Sequence, residues 1–403
     1  MATLSFLNVA PSERVVVVGA GIVGSHVAAF LAEGFQGSSR TVILLDRDVA
    51  GLPGSTSRAP GLIGQYNTEP ALTELAKRSF AHYLTVPGGF DPVGGLEVAE
   101  TEAGAAALVE RGTAARKANL AAQIISRSEA ARRAPDFVRP DGPDCLWFEG
   151  DGTADPILLS RAAQEKAQKF GAHLVNADVL DITPTGLKTS IGEIEAKDVV
   201  LCTNVWAGQL SSVLRPVVPV GHPYSFSPKR TEPRTYKQPF IRWPESHVYG
   251  RDHGLRDGIG SYNHKPIAVP LEELGRDASG KWDESFRAAL SATKEPLPTA
   301  PASSAASDDH YNGIFAVTPD GLPLVGQLAT HRETKVWCAV AVWVTHAAGS
   351  ARLIADAVLN KVADNDRWLL EVLSPTRFEG QPGSELEERA LFKYNDIYNK
   401  AGH

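Results

Sequence analysis

The chain is short of the residues that mark several functional classes. Only three of its 403 residues are cysteine, Cys145, Cys202 and Cys338, and none forms a CxxC pair. Neither a disulfide framework nor a zinc-thiolate centre is expected, and buried structural thiols are the default. The eleven histidines lack HxxxH or similar spacing with acids, so no metal is expected. No GxSxG elbow occurs, which removes the obvious hydrolase. The formal charge of −7 and pI near 5.9 leave no basic field to hold nucleic acid or an anionic membrane. No apolar run approaches the roughly eighteen residues a spanning helix needs, and residues 1–13 lack a cationic region followed by a long apolar core. The terminal Ala-Gly-His is no peroxisomal tripeptide. A cytoplasmic protein is expected.

What is present begins at Val15-Val16-Val17-Val18-Gly19-Ala20-Gly21-Ile22-Val23-Gly24, which reads as strand, phosphate loop and helix. Gly19 permits the tight turn, Gly21 lets backbone approach a pyrophosphate, and Gly24 lets the helix pack closely on the strand. The helix start offers free N–H groups to an anion. A second apolar strand, 41–45, ends in Asp46, where an acid for a ribose hydroxyl belongs. An ordinary strand-to-helix turn is the plain alternative, and NAD, NADP and FAD all remain open at this point.

With 43% hydrophobic and 22% charged residues, the chain is an ordinary globular sequence long enough for two or three domains. Residues 51–62 form a loop crowded with glycine, proline and hydroxyl residues, either a ligand-approaching segment or a plain surface connection. Helical spacing covers 70–84, and an alanine-rich helical pattern covers 101–123. Between them, 90–97 reads as a turn into a strand. A strand over 145–151 and a helix over 156–170 follow, then short antiparallel strands at 175–182, 187–190 and 192–194, and a buried strand at 196–203. A meander after a helix suits a flavin-type nucleotide domain better than a simple NAD domain. From 217 to about 262 the pattern is strands rich in His, Tyr, Trp and Arg, which predicts a separate sheet domain. Residues 296–309 read as a flexible loop. Two strands then flank Pro319-Asp320-Gly321, a strand spans 336–342, and a helix over 346–359 is opened by Thr345.

Four stretches taken together resemble a known family: Gly19 to Gly24, Gly54 to Leu62, Thr318 to Gly326, and Trp343 to Gly349. They are similar to the flavin domain of dimethylglycine oxidase and of the dimethylglycine and sarcosine dehydrogenases, within the D-amino-acid oxidase superfamily. The resemblance extends to Gly94-Gly95-Leu96-Glu97-Val98-Ala99 and Gly258-Ile259-Gly260-Ser261-Tyr262. It implies an α/β fold: a glutathione-reductase-like Rossmann FAD domain with an inserted antiparallel-sheet substrate domain. The expected division is 1–90, 145–215 and 312–365 for FAD, 91–144 and 216–311 for substrate, and a C-terminal extension, 366–403, packing on the FAD domain. It further implies FAD contacts from Gly19, Gly21, Ile22, Val23, Gly24, Asp46, Arg47, Ser55, Thr56, Ser57, Arg58, Gly61, Leu62, Val179, Trp206, Gly321, Thr345, His346 and Gly349.

The implied reaction is hydride transfer from an N-methyl carbon to FAD, then hydrolysis of the iminium to formaldehyde and the demethylated amine. Oxygen or an electron-transfer partner would reoxidise the flavin. Two features depart from the pattern. Arg58 stands where relatives carry the histidine that bonds covalently to flavin, so non-covalent FAD is expected. Relatives also continue into a folate-binding domain, which is not expected within this polypeptide. His222 and Tyr249 correspond to the family's active-site histidine and tyrosine and are expected to position the amine; as bare residues they read instead as a satisfied turn histidine and a sheet aromatic. Arg58, Arg242, Arg251 and Lys265 are candidate partners for a substrate carboxylate. A small N-methylated amino acid such as dimethylglycine or sarcosine is the expected substrate. Another amino acid, or an amine of specialised metabolism, is the second reading, and a non-catalytic FAD-binding protein is a third.

Overall fold

Four consecutive valines form the centre of the strand Arg14–Val18, buried at every position. Such a run suits a parallel strand covered on both faces. In the computed structural model, which describes residues 8–292, 309–331 and 333–397, it sits between Thr41–Asp46 and Asp198–Leu201, parallel to both. His173–Asn176 and Thr334–Val340 extend the parallel array outward, and Leu324–His331 closes one edge antiparallel, giving six strands. Helices Ile22–Gly34, Pro156–Lys169, Ala347–Val358 and Pro70–Tyr83 share the larger apolar core with this sheet. The expected meander is present as Val179–Thr183, Gly186–Thr189 and Gly192–Glu195.

A second sheet has nine strands, ordered Ser279–Gly280, His310–Val317, Val218–Phe226, Asp257–Ser261, Val248–Asp252, Phe240–Trp243, Gly95–Val98, Cys145–Phe148 and Ala122–Ile125. It is antiparallel except where Phe240–Trp243 runs parallel to Gly95–Val98. The mixed α/β architecture therefore agrees with the expected fold class. Three local expectations are corrected. Cys145–Phe148 pairs with Gly95–Val98 and Ala122–Ile125 in the large sheet, so the chain returns to the half built on the six-stranded sheet only after it. The 101–123 pattern splits into a helix, Glu102–Lys117, and a strand, Ala122–Ile125. The C-terminal segment packs against the six-stranded sheet and its helices through Leu369, Leu373, Phe378 and Leu386, but its last helix, Gly383–Asn395, also reaches the large sheet, with Ala390 and Tyr394 packed among Val218, Val220, Tyr224 and Tyr249. The loop expected over 296–309 lies outside the described residues except for Asp309.

Candidate active site

The glycine loop is held shut by its surroundings. Gly19 has φ +100°, and a Cβ there would stand 2.6 Å from the Cys202 carbonyl oxygen. A Cβ on Gly24 would stand 1.8 Å from the Gly19 carbonyl oxygen, so the first helical turn touches its own loop. Asp46 accepts the Ala20 N–H at 2.7 Å and that of Asp48 at 3.0 Å, tying the second strand's end to the loop. Thr56, on the short helical turn Ser55–Arg58, accepts the Ile22 N–H at 3.0 Å. Within the expected 51–62 loop, only Ser55–Arg58 are helical, one turn clamped onto the glycine loop by Thr56.

One cavity starts at this loop and ends under the large sheet. Of the residues predicted from sequence, Gly19, Gly21, Ile22, Val23, Asp46, Arg47, Ser55, Thr56, Arg58, Gly61, Leu62, Val179, Trp206, Thr345 and His346 line it, together with His222 and Tyr249. Gly24, Ser57, Gly321 and Gly349 do not. Gly24 serves helix-on-loop packing. Ser57 turns outward and donates to the Gly54 carbonyl. Gly321 is an exposed turn residue with φ +77°. Gly349 gives the Pro70–Tyr83 helix room: its N–H donates to Ser79 at 2.9 Å, and a Cβ would meet the Leu75 carbonyl at 2.4 Å. Among the four candidate cations, Arg58 and Arg242 line the cavity, while Arg251 and Lys265 do not. Arg251 spends its Nη1 on the carbonyls of Pro60 and Ala154.

At the loop end, Arg47 lies over the Trp206 ring, 4.7 Å from its centroid, and reaches Asp178 at 3.7 Å. Arg58 pairs with Asp277 at 3.2 Å, and its carbonyl accepts the Tyr311 hydroxyl at 2.5 Å. At the far end, Thr345 donates to the Leu62 carbonyl at 3.0 Å, and the turn Val344–His346 leads into the Ala347–Val358 helix. Burial, and then the nearby Arg242, lower the His346 pKa to about 4, so its ring is neutral near pH 7. Three cavity-wall residues carry buried polar atoms without a partner among the described residues: Arg58 Nε, Thr203 Oγ1 and Asn204 Oδ1. Such atoms fit a polar ligand along this wall.

The roof comes from the nine-stranded sheet. Gly258 and Gly260 leave its surface flat enough for two tyrosine side chains to lie across it; a Cβ on Gly258 would fall 2.2 Å from the Tyr224 hydroxyl oxygen, and one on Gly260 2.2 Å from Tyr249 Cζ. Tyr249 is thereby aimed at His222, whose Nε2 lies 2.8 Å from its hydroxyl. His222 is 2% exposed, its backbone N–H held by Asn312 at 2.8 Å, and its ring packed 4.6 Å from both Tyr262 and Phe315. Burial, and secondarily His264, hold its pKa well below the ordinary histidine value. Beside Arg242, a further cavity cation is Arg111, which pairs with buried Glu97 at 2.8 Å, while Arg242 Nη1 is 3.6 Å from the other Glu97 oxygen. Arg111 sits on an alanine-rich helix with no motif around it, so no local signal marks it. Tyr394, 2.6 Å from His222 Nδ1, was likewise unforeseen. Its only sequence trace is Leu386, Ala390 and Tyr394 at four-residue spacing, which marks a buried helix face.

A parallel sheet ending in a phosphate loop, sharing one cavity with an aromatic-rich antiparallel roof, defines a two-sheet dinucleotide oxidoreductase. The FAD dependent oxidoreductase family model matches residues 14–357, and the chain belongs to that family. The mitochondrial dimethylglycine dehydrogenase of Mus musculus is 25% identical over 417 residues, covering 95% of this chain and 46% of that protein. The mitochondrial sarcosine dehydrogenase of Homo sapiens is 25% identical over 351 residues, covering 81% of this chain and 37% of that protein. The chain thus spans about half or less of the length of these curated relatives. Among solved structures, L-proline dehydrogenase from P. horikoshii superposes with a TM-score of 0.75 at 20% identity, covering 91% of this chain and 98% of that one. Among the described residues, no helix is long and apolar enough to cross a membrane.

Proposed function

We propose that this chain oxidises a small amino acid at a carbon attached to its amine, most concretely an N-methylated one such as dimethylglycine or sarcosine, with FAD held non-covalently. The reading rests on one arrangement: the hydrogen-bonded His222–Tyr249 pair and the Arg242 guanidinium share the wall of the cavity that begins at the phosphate loop. Gly19 to Val23 and the start of the Ile22–Gly34 helix would hold the pyrophosphate of FAD, and Asp46 would serve its ribose. Within the described residues, 8–90, 152–215 and 318–365 make the FAD-binding part, and the large sheet, His310–Val317 included, makes the substrate part. Bound FAD supplies the two-electron oxidant. Arg242 holds the substrate carboxylate: it lines the cavity, and at 3.6 Å its Nη1 stands beyond hydrogen-bond reach of Glu97 Oε1, so its donors are available to a ligand. His222 and Tyr249 orient the amine and take its proton, since the neutral amine is the form that yields its electrons. Tyr224, Tyr262, Tyr311, Phe315 and Trp343 exclude water.

A second reading is oxidation of a different amino acid or amine, favoured by Arg58, which brings a cation and the Asp277 pair to the cavity wall. Purified holoprotein bleached anaerobically by sarcosine or dimethylglycine supports the first reading, with formaldehyde as product. Bleaching by other amines alone supports the second, and protein that neither carries nor takes up FAD refutes both. Oxygen or an electron-transfer partner completes the cycle, which peroxide detection distinguishes.

A further inference from the structure

Behind the His222–Tyr249 pair the hydrogen bonds continue away from the cavity. His222 Nδ1 lies 2.6 Å from the Tyr394 hydroxyl, that hydroxyl lies 2.8 Å from His264 Nε2, and His264 Nδ1 lies 2.9 Å from the Lys265 carbonyl oxygen. The last contact sets the direction of all the others. A carbonyl only accepts, so His264 Nδ1 must carry hydrogen. Neutral His264 then has a bare Nε2, and Tyr394 must donate its single hydrogen there. Tyr394 can therefore only accept from His222, which places hydrogen on His222 Nδ1 and leaves Nε2 bare. Tyr249 must in turn donate its hydrogen to that nitrogen, and what Tyr249 offers the cavity is acceptor capacity.

We propose that Tyr394 and His264 are positioning residues that polarise this chain in one direction, making Tyr249 a proton acceptor toward a bound ammonium group and giving the proton a route out. This rests on the amine-oxidation reading above. In the transfer, the N–H bond of the substrate ammonium breaks and a new O–H bond forms on Tyr249, whose former hydrogen moves to His222 Nε2. His222 passes its Nδ1 hydrogen to Tyr394, which passes its own to His264 Nε2. The net change is a neutral amine in the cavity and an imidazolium at His264, with no change of oxidation state. His264 lies between the exposed Asn263 and Lys265, and Asp283 favours its charged form. The titratable groups facing His222 are Tyr249, Tyr262 and Tyr394, with His264 one bond further. Burial lowers the pKa of both histidines, which agrees with neutral rings at rest.

The test uses FAD-loaded protein labelled with nitrogen-15 histidine and two variants, Tyr394→Phe and His264→Leu. In the wild type, both His222 and His264 are expected as the Nδ1–H tautomer, the minor form of free histidine. His264→Leu frees Tyr394 to donate to His222, so His222 is expected to switch to the Nε2–H tautomer. Retention of Nδ1–H in that variant, or Nε2–H in the wild type, overturns the proposal whatever the enzyme oxidises. Anaerobic flavin reduction by a good amine is expected to slow about tenfold in Tyr394→Phe below the amine pKa, less than the roughly 10²–10⁴-fold of a full acid–base group because Tyr249 and His222 remain, and to recover as pH rises. An equal loss at all pH values means a merely structural role and refutes the relay. A wild type that no amine bleaches sinks the amine reading instead, and the tautomer result still decides the direction of the chain.

Discussion

Gly24→Ala is the sharpest test of how the phosphate loop is built, because Gly24 touches the loop without lining the cavity. The added Cβ would stand 1.8 Å from the Gly19 carbonyl oxygen, 3.0 Å from the Gly19 carbonyl carbon and 3.1 Å from Cys202 Cβ. A side chain in that position could rotate away, but a carbonyl locked in a glycine turn cannot. Ordinary van der Waals contact lies beyond 3.4 Å, so loop and helix must separate by more than an ångström. Overpacking of this kind costs about 1–3 kcal/mol. If that cost falls on the FAD-binding conformation, the Kd for FAD rises between about fivefold and 150-fold. The assay is the flavin-to-protein absorbance ratio after gel filtration, then titration of apoprotein with FAD. Gly383→Ala is the control, since a Cβ there would meet nothing within 4 Å and the residue begins the last helix. Full FAD occupancy and unchanged Tm in Gly24→Ala would refute the reasoning, because the contact would then be absorbed without disturbing the loop.

Arg242→Met is expected to raise KM for a carboxylate-bearing amine about tenfold to 150-fold, from the ~1.5–3 kcal/mol of a hydrogen bond to a charged group, while the same amine lacking its carboxylate is unaffected. Equal effects on both substrates would remove Arg242 from carboxylate binding. Acid precipitation is expected to release all FAD into the supernatant, because Arg58 offers no imidazole for a covalent link; flavin retained in the pellet contradicts this. Thermal stability is expected to fall as pH drops from about 6.5 to 4. Burial lowers the pKa of His26 to about 3 and of His82 and His346 to about 4, so across that window the unfolded chain takes up protons that the folded chain refuses. Asp151, raised to about 7 by burial, and Asp356, also raised by burial, act in the opposite sense, but burial lowers His222, His253 and His264 too, so the histidines outnumber them. A Tm that is flat or rising as pH falls from 6.5 to 4 refutes the neutral-histidine assignment.

How much of this was legible in the sequence depends on whether a contact is made by neighbours in the chain. The strand, loop, helix and acid around Gly19 to Asp46 announce themselves because a glycine turn between apolar strands has few other uses. Thr318 to Gly326 and Thr345 to His346 were recognisable for the same local reason. Glycines show the limit. Gly24 and Gly349 sit inside motifs yet meet backbone, the first its own loop and the second a helix more than 270 residues earlier. Glycine spacing reports that something approaches closely, not whether it is ligand or protein. Cys145–Phe148 reads as a buried strand in either sheet, and only pairing with Gly95–Val98 and Ala122–Ile125 decides which.

Tyr394 takes that argument to its end. It lies 172 residues from His222, on a helix whose pattern requires only that one face be covered. The sequence therefore predicts burial and is silent about the hydroxyl. Burying a phenol without a partner is costly, so a fully buried tyrosine implies an acceptor or donor somewhere in the fold. Here the two partners are both imidazoles, and the single Lys265 carbonyl behind one of them determines which way each hydrogen points. A backbone atom outside every motif thus sets the polarity of the group facing the cavity. The placement of active-site residues can be read from motifs, but the direction of their hydrogen bonds is a property of the folded chain.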